Sequence, residues 1–71
     1  GAVPRPDVRQ GLPIGAYSDD QLDDLVAWIR SDGQERSRDE LADELRAALG
    51  ITRRSHRVDT AVRAAVVRAL V

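Results

Sequence analysis

The sequence has no cysteine and only one histidine among its 71 residues. Without cysteine there is no disulfide to brace the fold and no thiolate to bind a metal ion. The single histidine, His56, has no cluster of acids beside it, so it makes a poor metal site. It also lacks the nucleophile and orienting carboxylate that a general base requires. We therefore expect no cofactor, and we predict that the chain is not an enzyme.

Long apolar runs and aromatic residues are also scarce. No stretch approaches the roughly 20 apolar residues that a transmembrane helix needs, and no signal-peptide pattern opens the chain. We therefore expect a cytoplasmic protein without a membrane partner. Tyr17 and Trp28 are the only aromatic residues, so Trp28 is expected to anchor the core rather than to stack on a ligand.

Lysine is absent, and all eleven basic residues are arginines. The net charge of −1 conceals a separation of charge along the chain. Residues 17–50 hold ten acidic residues against four arginines, whereas residues 51–71 hold five arginines against one aspartate. The basic segment would suit an anionic partner, or it would meet the acidic part of its own chain. The lack of overall positive charge argues against a tight, stand-alone DNA binder.

A chain of this length forms one small domain at most. Residues 1–16 contain all three prolines, and proline restricts the backbone and removes an N–H donor. We predict an extended lead-in or linker there, of which residues 12–14 could fold back onto the core. The domain itself is expected to span residues 17–71.

Two serine-led starts predict the first two helices. Ser18 with Gln21 and Ser37 with Glu40 have the spacing of capping boxes, and Gly33 and Gly50 are placed to end the helices that follow. The inner faces repeat at helical spacing. They comprise Leu22, Leu25, Val26 and Ile29 in the first helix and Leu41, Leu45, Ala48 and Leu49 in the second. On the outside of the second helix, Asp39, Glu40, Asp43 and Glu44 form an acidic band.

The third helix is predicted to start between Arg53 and Ser55, capped by Thr52 or Ser55. One side of it is apolar, formed by Val58, Ala61, Val62, Ala65, Val66, Ala69 and Leu70. The opposite arc is basic, with small residues between the arginines, and it carries Arg53, His56, Arg57, Thr60, Arg63, Ala64, Val67 and Arg68. Three helices with tight connections predict an all-α, compact three-helix bundle, helix-turn-helix-like and related to winged helices without a clear wing.

The basic arc of the third helix is the candidate functional surface. As a recognition helix, it would carry its first turn toward phosphates and base edges. The candidate nucleic-acid-binding residues are Arg53, Arg54, His56, Arg57, Thr60 and Arg63. Two other interpretations stay open: a solvated arginine face, and pairing with the acidic band within the chain or across a homodimer. An exposed Val67 would favour a protein-interaction or dimerisation module.

Several of these residues also match a known family. The matching segments are Glu-Leu-Ala at residues 40–42, Leu-Gly-Ile at residues 49–51 and Arg-Val at residues 57–58, with Arg53 between them. Val62, Ala65 and Ala69 continue the pattern. On these residues the chain resembles the small C-terminal domain, of unknown function, of large bacterial superfamily I helicase-like proteins. Those proteins often carry a restriction-endonuclease-like segment just before it.

The resemblance covers most of residues 17–70 and implies an accessory module that helps to engage DNA. Its partners would be nucleic acid and the remainder of the parent protein, whose other domains would bind ATP and cleave strands. Two positions depart from the family pattern. Ser55 stands where the family tends to have glycine. Residues 33–35 (Gly-Gln-Glu) replace a Gly-Pro-apolar step, which speaks against the short strand of a winged helix.

Overall fold

The structure of the chain, a computed structural model, describes residues 2–71. A 3₁₀ turn at Ile14–Ala16 precedes three α-helices, α1 (Asp19–Arg30), α2 (Arg38–Ala48) and α3 (His56–Leu70). Each helix packs against the other two, and no strand forms in the part of the chain described. The prediction of an all-α three-helix bundle is therefore confirmed. None of these helices is both long and apolar enough to cross a membrane.

Both predicted capping boxes are present. The Ser18 hydroxyl accepts a hydrogen bond from the Gln21 N–H at 3.1 Å, and the Gln21 side chain accepts one from the Ser18 N–H at 2.9 Å. Ser37 and Glu40 repeat this exchange at 3.1 and 2.8 Å at the start of α2. A helix start otherwise leaves these N–H groups without partners. The hydrogen bond from the Ser37 N–H lowers the pKa of the Glu40 carboxyl.

The core forms where the three apolar helix faces meet. The stripe predicted for α1 is buried in full, and Leu41, Leu45 and Leu49 bury the inner face of the α2 segment. From α3 the core receives Val58, Val62, Ala65 and Val66. Burying one such leucine side chain contributes about 2 kcal/mol. Leu70 departs from the predicted apolar face, because it lies at the last turn of α3 and stays 41% exposed.

The connection between α1 and α2 is held by Asp32 and Arg36. The Arg36 guanidinium donates to both oxygens of the Asp32 carboxylate at 2.9 and 2.6 Å, and it also pairs with Glu44. The Gln34 N–H donates to the same carboxylate at 3.0 Å. The Arg36 hydrogen bond holds the pKa of Asp32 well below its usual range. Gly33, at φ +73°, supplies the left-handed backbone of this polar turn.

The described part of the lead-in, residues 2–16, lies along the helices and takes part in the packing. Val8 and Tyr17 are buried within the core. The Tyr17 hydroxyl donates to the Arg9 carbonyl at 2.6 Å and accepts from the Leu12 N–H at 3.1 Å. The prolines restrict the backbone of this segment and remove N–H donors, and the Val8 N–H donates to the Pro6 carbonyl within it at 2.8 Å.

The lead-in also supplies hydrogen-bond donors to the end of α2. The Ala48 carbonyl accepts from the Arg5 guanidinium at 2.6 Å and from the Gln10 amide at 3.1 Å. The Gly11 N–H donates to the Leu49 carbonyl at 2.8 Å. The last carbonyls of a helix have no partner inside it, so the lead-in satisfies the end of α2.

Trp28 joins the lead-in to α1. Its ring is partly buried against the core, as expected for an anchor, and its indole N–H donates to the Val3 carbonyl at 2.8 Å. The Arg5 guanidinium lies over the ring, 5.9 Å from its centroid, within the range of a cation–π contact. The single tryptophan therefore serves both the core and the segment that crosses it.

Candidate nucleic-acid interface

A turn at Gly50 ends α2 and leads to the basic segment before α3. Gly50 has a φ of +71°, and its N–H donates to the Ala47 carbonyl, while the Ile51 N–H donates to the Arg46 carbonyl, both at 3.0 Å. This pair of bonds is the predicted Schellman motif. A Cβ at Gly50 would lie 3.2 Å from the Cβ of Gln10. Both the backbone conformation and the neighbouring lead-in therefore favour glycine here.

α3 begins at His56, with Ser55 as its N-cap. Ser55 has an extended backbone, with φ −145° and ψ 161°, and its hydroxyl accepts from the Val58 N–H at 3.2 Å. Arg53 and Arg54 therefore precede the helix and lie in the connection after α2. Of the two predicted caps, Thr52 and Ser55, the structure uses Ser55, so the two arginines are not part of the first turn of α3. The cap decides the boundary, because the serine oxygen satisfies a helix-start N–H only from this position.

Four of the six candidate side chains are exposed and unpaired. Arg53, His56, Arg57 and Thr60 form no side-chain hydrogen bond or ion pair with any of residues 2–71. An unpaired guanidinium keeps all five of its N–H donors available to an anion. His56, Arg57 and Thr60 lie in the first two turns of α3, and Arg53 lies just before them.

The other two candidates, Arg54 and Arg63, pair with the acidic band of α2. Arg54 donates to Asp43 at 3.1 Å and Arg63 donates to Asp39 at 2.9 Å. All four side chains in these pairs are more than half exposed. Ion pairs this exposed contribute between 0 and about 1 kcal/mol to stability. Two of the candidate residues therefore form the intrachain pairing with the acidic band.

One arginine that the sequence analysis did not single out, Arg46, is buried between α2 and α3. Only 8% of its side chain is exposed, and its guanidinium donates to Asp59 at 3.0 Å and also to Asp43. A signal for this burial exists in the sequence. Arg46 stands four residues after Ala42, on the same face of α2, and directly follows the buried Leu45.

Arg68, which the prediction places on the basic arc, turns toward α1. Its guanidinium contacts Asp23 at 2.8 Å and Asp19 at 3.8 Å. The hydrogen bond with Asp23 raises the pKa of Arg68 further above its usual value. The C-terminal half of the arc therefore joins α3 to α1, and the candidate interface is limited to the N-terminal half.

A groove of about 410 Å³ lies beside the unpaired residues. On one side the 3₁₀ turn supplies Ile14 and Gly15. On the other side α3 supplies His56, Arg57, Thr60, Ala61 and Ala64. The surface of this turn–helix groove is mainly apolar, because four of its seven residues carry only hydrocarbon or no side chain. The Arg57 guanidinium closes it near Gly15, 3.7 Å from where a Cβ would stand.

The acidic side chains that have partners, such as Asp32, Asp39, Asp43 and Asp59, pair with arginines and do not gather around a common point. No group of three or more histidine, aspartate or glutamate side chains in residues 2–71 is arranged to hold a metal ion. Among residues 2–71, the His56 imidazole forms no hydrogen bond or ion pair with a carboxylate.

No protein-family model matches the chain, and no curated protein or solved structure matches it either. The resemblance to the helicase-associated domain therefore stays a prediction. Function has to be inferred from the placement of the arginines, two of which are free at the start of α3 while three are engaged by carboxylates between α2 and α3.

Proposed function

We propose that this domain is a non-catalytic accessory module that engages nucleic acid, in the first place DNA, around the start of α3. The observation that carries the proposal is the exposed, unpaired state of Arg53 and Arg57. The planar fork of arginine suits phosphate, which accepts two parallel hydrogen bonds from it. His56 and Thr60 would add hydrogen bonds to the same strand.

The start of α3 adds to the attraction for an anion. The first N–H groups of a helix point outward and carry the positive end of its dipole. Ser55 occupies the N–H of Val58, whereas the N–H groups of His56 and Arg57 have no acceptor among residues 2–71. A phosphate bound by Arg57 would lie close to these two groups.

Arg54 and Arg63 would act as secondary contacts. Their ion pairs are exposed and weak, so a phosphate can replace the carboxylate. When Arg54 leaves Asp43, that carboxylate keeps its bond to the buried Arg46. The exchange therefore leaves no buried charge without a partner.

The binding is expected to be weak. Few phosphates can be neutralised by two free arginines, and the acidic band lies directly beside them. Such weak affinity suits a module that adds to the DNA affinity of a larger helicase-like protein, as the resemblance implies. ATP binding and strand cleavage would then belong to other domains of that protein. A bacterial cytoplasmic setting agrees with this role and with the absence of cysteine.

Fluorescence anisotropy with labelled DNA, at about 50 and 200 mM salt, tests the proposal. We expect binding at low salt that weakens at high salt, and a loss of affinity in Arg53→Ala and in Arg57→Ala. Arg38→Ala is a matched control, because Arg38 is exposed, forms no ion pair in residues 2–71, and lies at the far end of α2. Absence of binding at low salt, or equal losses in all three variants, would contradict the proposal.

A second candidate function is self-association through the end of α3. Val67 and Leu70, three residues apart, are 47% and 41% exposed, and neighbouring exposed apolar side chains favour protein contact. Sedimentation of the wild type and of Val67→Glu over a range of concentrations tests this. A dimer that Val67→Glu dissociates would favour the second candidate, whereas a monomer at every concentration would exclude it.

A further inference from the structure

The turn–helix groove lies beside the free arginines and differs from them in character. Arg57 belongs to both, because its side chain is exposed to solvent and also lines the groove. The groove is shallow and open to solvent, and its volume of about 410 Å³ is small. A ligand that fills the groove would thus be small, at least partly apolar, and compatible with a cation at its rim.

The depth of the groove comes from small side chains on α3. Ala61 and Ala64 lie three residues apart, so they share one face of the helix and leave a depression. Ile14 faces them from the 3₁₀ turn, and Gly15 adds no side chain. Two planar groups, the His56 imidazole and the Arg57 guanidinium, lie at the start of α3. The groove therefore offers an apolar surface with planar cationic or aromatic groups at one end.

A nucleobase meets each of these requirements. Its faces are planar and apolar, and in single-stranded recognition they stack on aromatic rings or on arginine planes. Each base is also attached to a phosphate, which matches Arg57 and the neighbouring Arg53 in charge. The groove and the free arginines can therefore act on one nucleotide, the groove on the base and the arginines on its phosphate.

A paired base cannot be bound in this way. In a duplex the base faces are stacked on one another, and only the edges are exposed in the grooves. The apolar surface of the turn–helix groove offers few donors and acceptors for such edges.

We propose that the turn–helix groove binds one unpaired base of a single-stranded nucleic acid, whose phosphate lies against Arg57 and Arg53. This inference rests on the proposed function and specifies it, because it selects single strands over duplexes. Arg57 has two contacts in this arrangement, one with the phosphate and one along the edge of the groove.

The test compares three labelled ligands of equal length: a single-stranded oligothymidine, a duplex, and a strand of abasic sites that keeps the phosphates. We expect the single strand to bind at least about fivefold more tightly than the abasic strand, as one stacked base would provide. The duplex should bind no better than the abasic strand.

Ala64→Leu fills the groove without changing the charge, and Ala27→Leu makes the same change at an exposed alanine of α1 as a control. Ala64→Leu should bring single-strand affinity down to that of the abasic strand and leave the salt dependence unchanged, since no phosphate contact is lost. Ala27→Leu should bind like the wild type. A melting curve for each variant checks that the fold is kept.

The outcomes separate this inference from the proposed function. Duplex binding as tight as single-strand binding, or wild-type binding by Ala64→Leu, would overturn the base site while an effect of Arg57→Ala on both ligands still supported nucleic-acid engagement. Equal affinity for the thymidine and abasic strands would likewise overturn the base site without contradicting nucleic-acid engagement. Absence of binding to all three ligands at low salt would overturn both.

Discussion

The arginines at the contact between α2 and α3, here called the seam, are paired with carboxylates, whereas the two arginines around the start of α3 are not. In the seam, Arg46, Arg54 and Arg63 each meet a carboxylate of the neighbouring helix or connection. Arg53 and Arg57 meet none within residues 2–71. Arginine therefore occurs both paired and unpaired in this part of the chain, and the residue type alone does not determine which. The difference is whether a carboxylate of the neighbouring helix lies within bonding distance of the guanidinium.

The geometry of the seam follows from the opposite directions of the two helices. Asp39 near the start of α2 pairs with Arg63 in the middle of α3, whereas Arg46 near the end of α2 pairs with Asp59 near the start of α3. The acidic band therefore reaches the connection only through Asp43, which contacts Arg54. Beyond that point, the band offers no carboxylate to the residues around the start of α3.

The largest effect is expected from the most deeply engaged arginine. Arg46→Ala should lower the free energy of unfolding by about 2 kcal/mol, because it leaves a cavity and removes the partner of Asp59. Urea unfolding of wild type and variant measures this. Arg53→Ala serves as the control and should stay within about 0.5 kcal/mol of the wild type. Equal stability of the two variants would erase the distinction between engaged and free arginines.

A matched pair of double variants compares the two groups in binding. Arg53→Ala with Arg57→Ala should lower single-strand affinity about tenfold and reduce the salt dependence by about 1.4 in log–log slope, the share of two phosphate contacts. Arg54→Ala with Arg63→Ala, at the same charge change, should lower affinity only about twofold to threefold, because these side chains must first leave their carboxylates.

Anisotropy titrations at several salt concentrations give both quantities for each double variant. If the two losses of affinity are equal, the carboxylates do not restrain Arg54 and Arg63, and the interface is larger than the structure suggests.

A smaller effect is expected from removing one carboxylate of the seam. Asp39→Asn should raise nucleic-acid affinity about twofold to threefold, because Arg63 becomes free and a repulsive charge is lost. Glu35→Gln makes the same charge change in the α1–α2 connection, where the side chain is exposed and has no ion pair among residues 2–71. A gain of the same size in Glu35→Gln would attribute the effect to net charge alone.

The smallest effect concerns Asp32, which the engaged Arg36 holds below its ordinary pKa of 3.8. A depressed folded-state pKa stabilises the fold above pH 3.8, and this contribution is lost as the pH falls through the folded value. In melting curves recorded from pH 7 to pH 2, the melting temperature should therefore fall less steeply with decreasing pH in Asp32→Asn than in the wild type. Parallel curves would show that the ion pair contributes nothing to acid stability.

The helices could be predicted well because their signals are local. Ser18 with Gln21 and Ser37 with Glu40 each act within one turn, and Gly50 requires only its own positive φ and the carbonyls just before it. The apolar stripe of α1 likewise depends on spacing alone. No other part of the chain has to be known for these assignments.

Contacts between distant residues could not be predicted in the same way. The burial of Arg46 depends on Asp59 in another helix, and the capping of α2 depends on Arg5, which is 43 residues away from Ala48. For the candidate interface, the sequence leaves the start of α3 open between the caps Thr52 and Ser55 and treats the basic arc as uniform. Ion pairs between α2 and α3 separate the paired candidates from the unpaired ones. These pairs depend on tertiary packing, so local sequence patterns do not predict them.

The lead-in has a consequence for any ligand of the turn–helix groove. One wall of the groove, Ile14 and Gly15, belongs to this segment, and Arg5, Gln10 and Gly11 attach the segment to the end of α2. The groove therefore exists only while the lead-in is docked. By thermodynamic linkage, a ligand in the groove and the attachment of the lead-in stabilise each other, so a mutation at the end of α2 can weaken binding without touching the ligand.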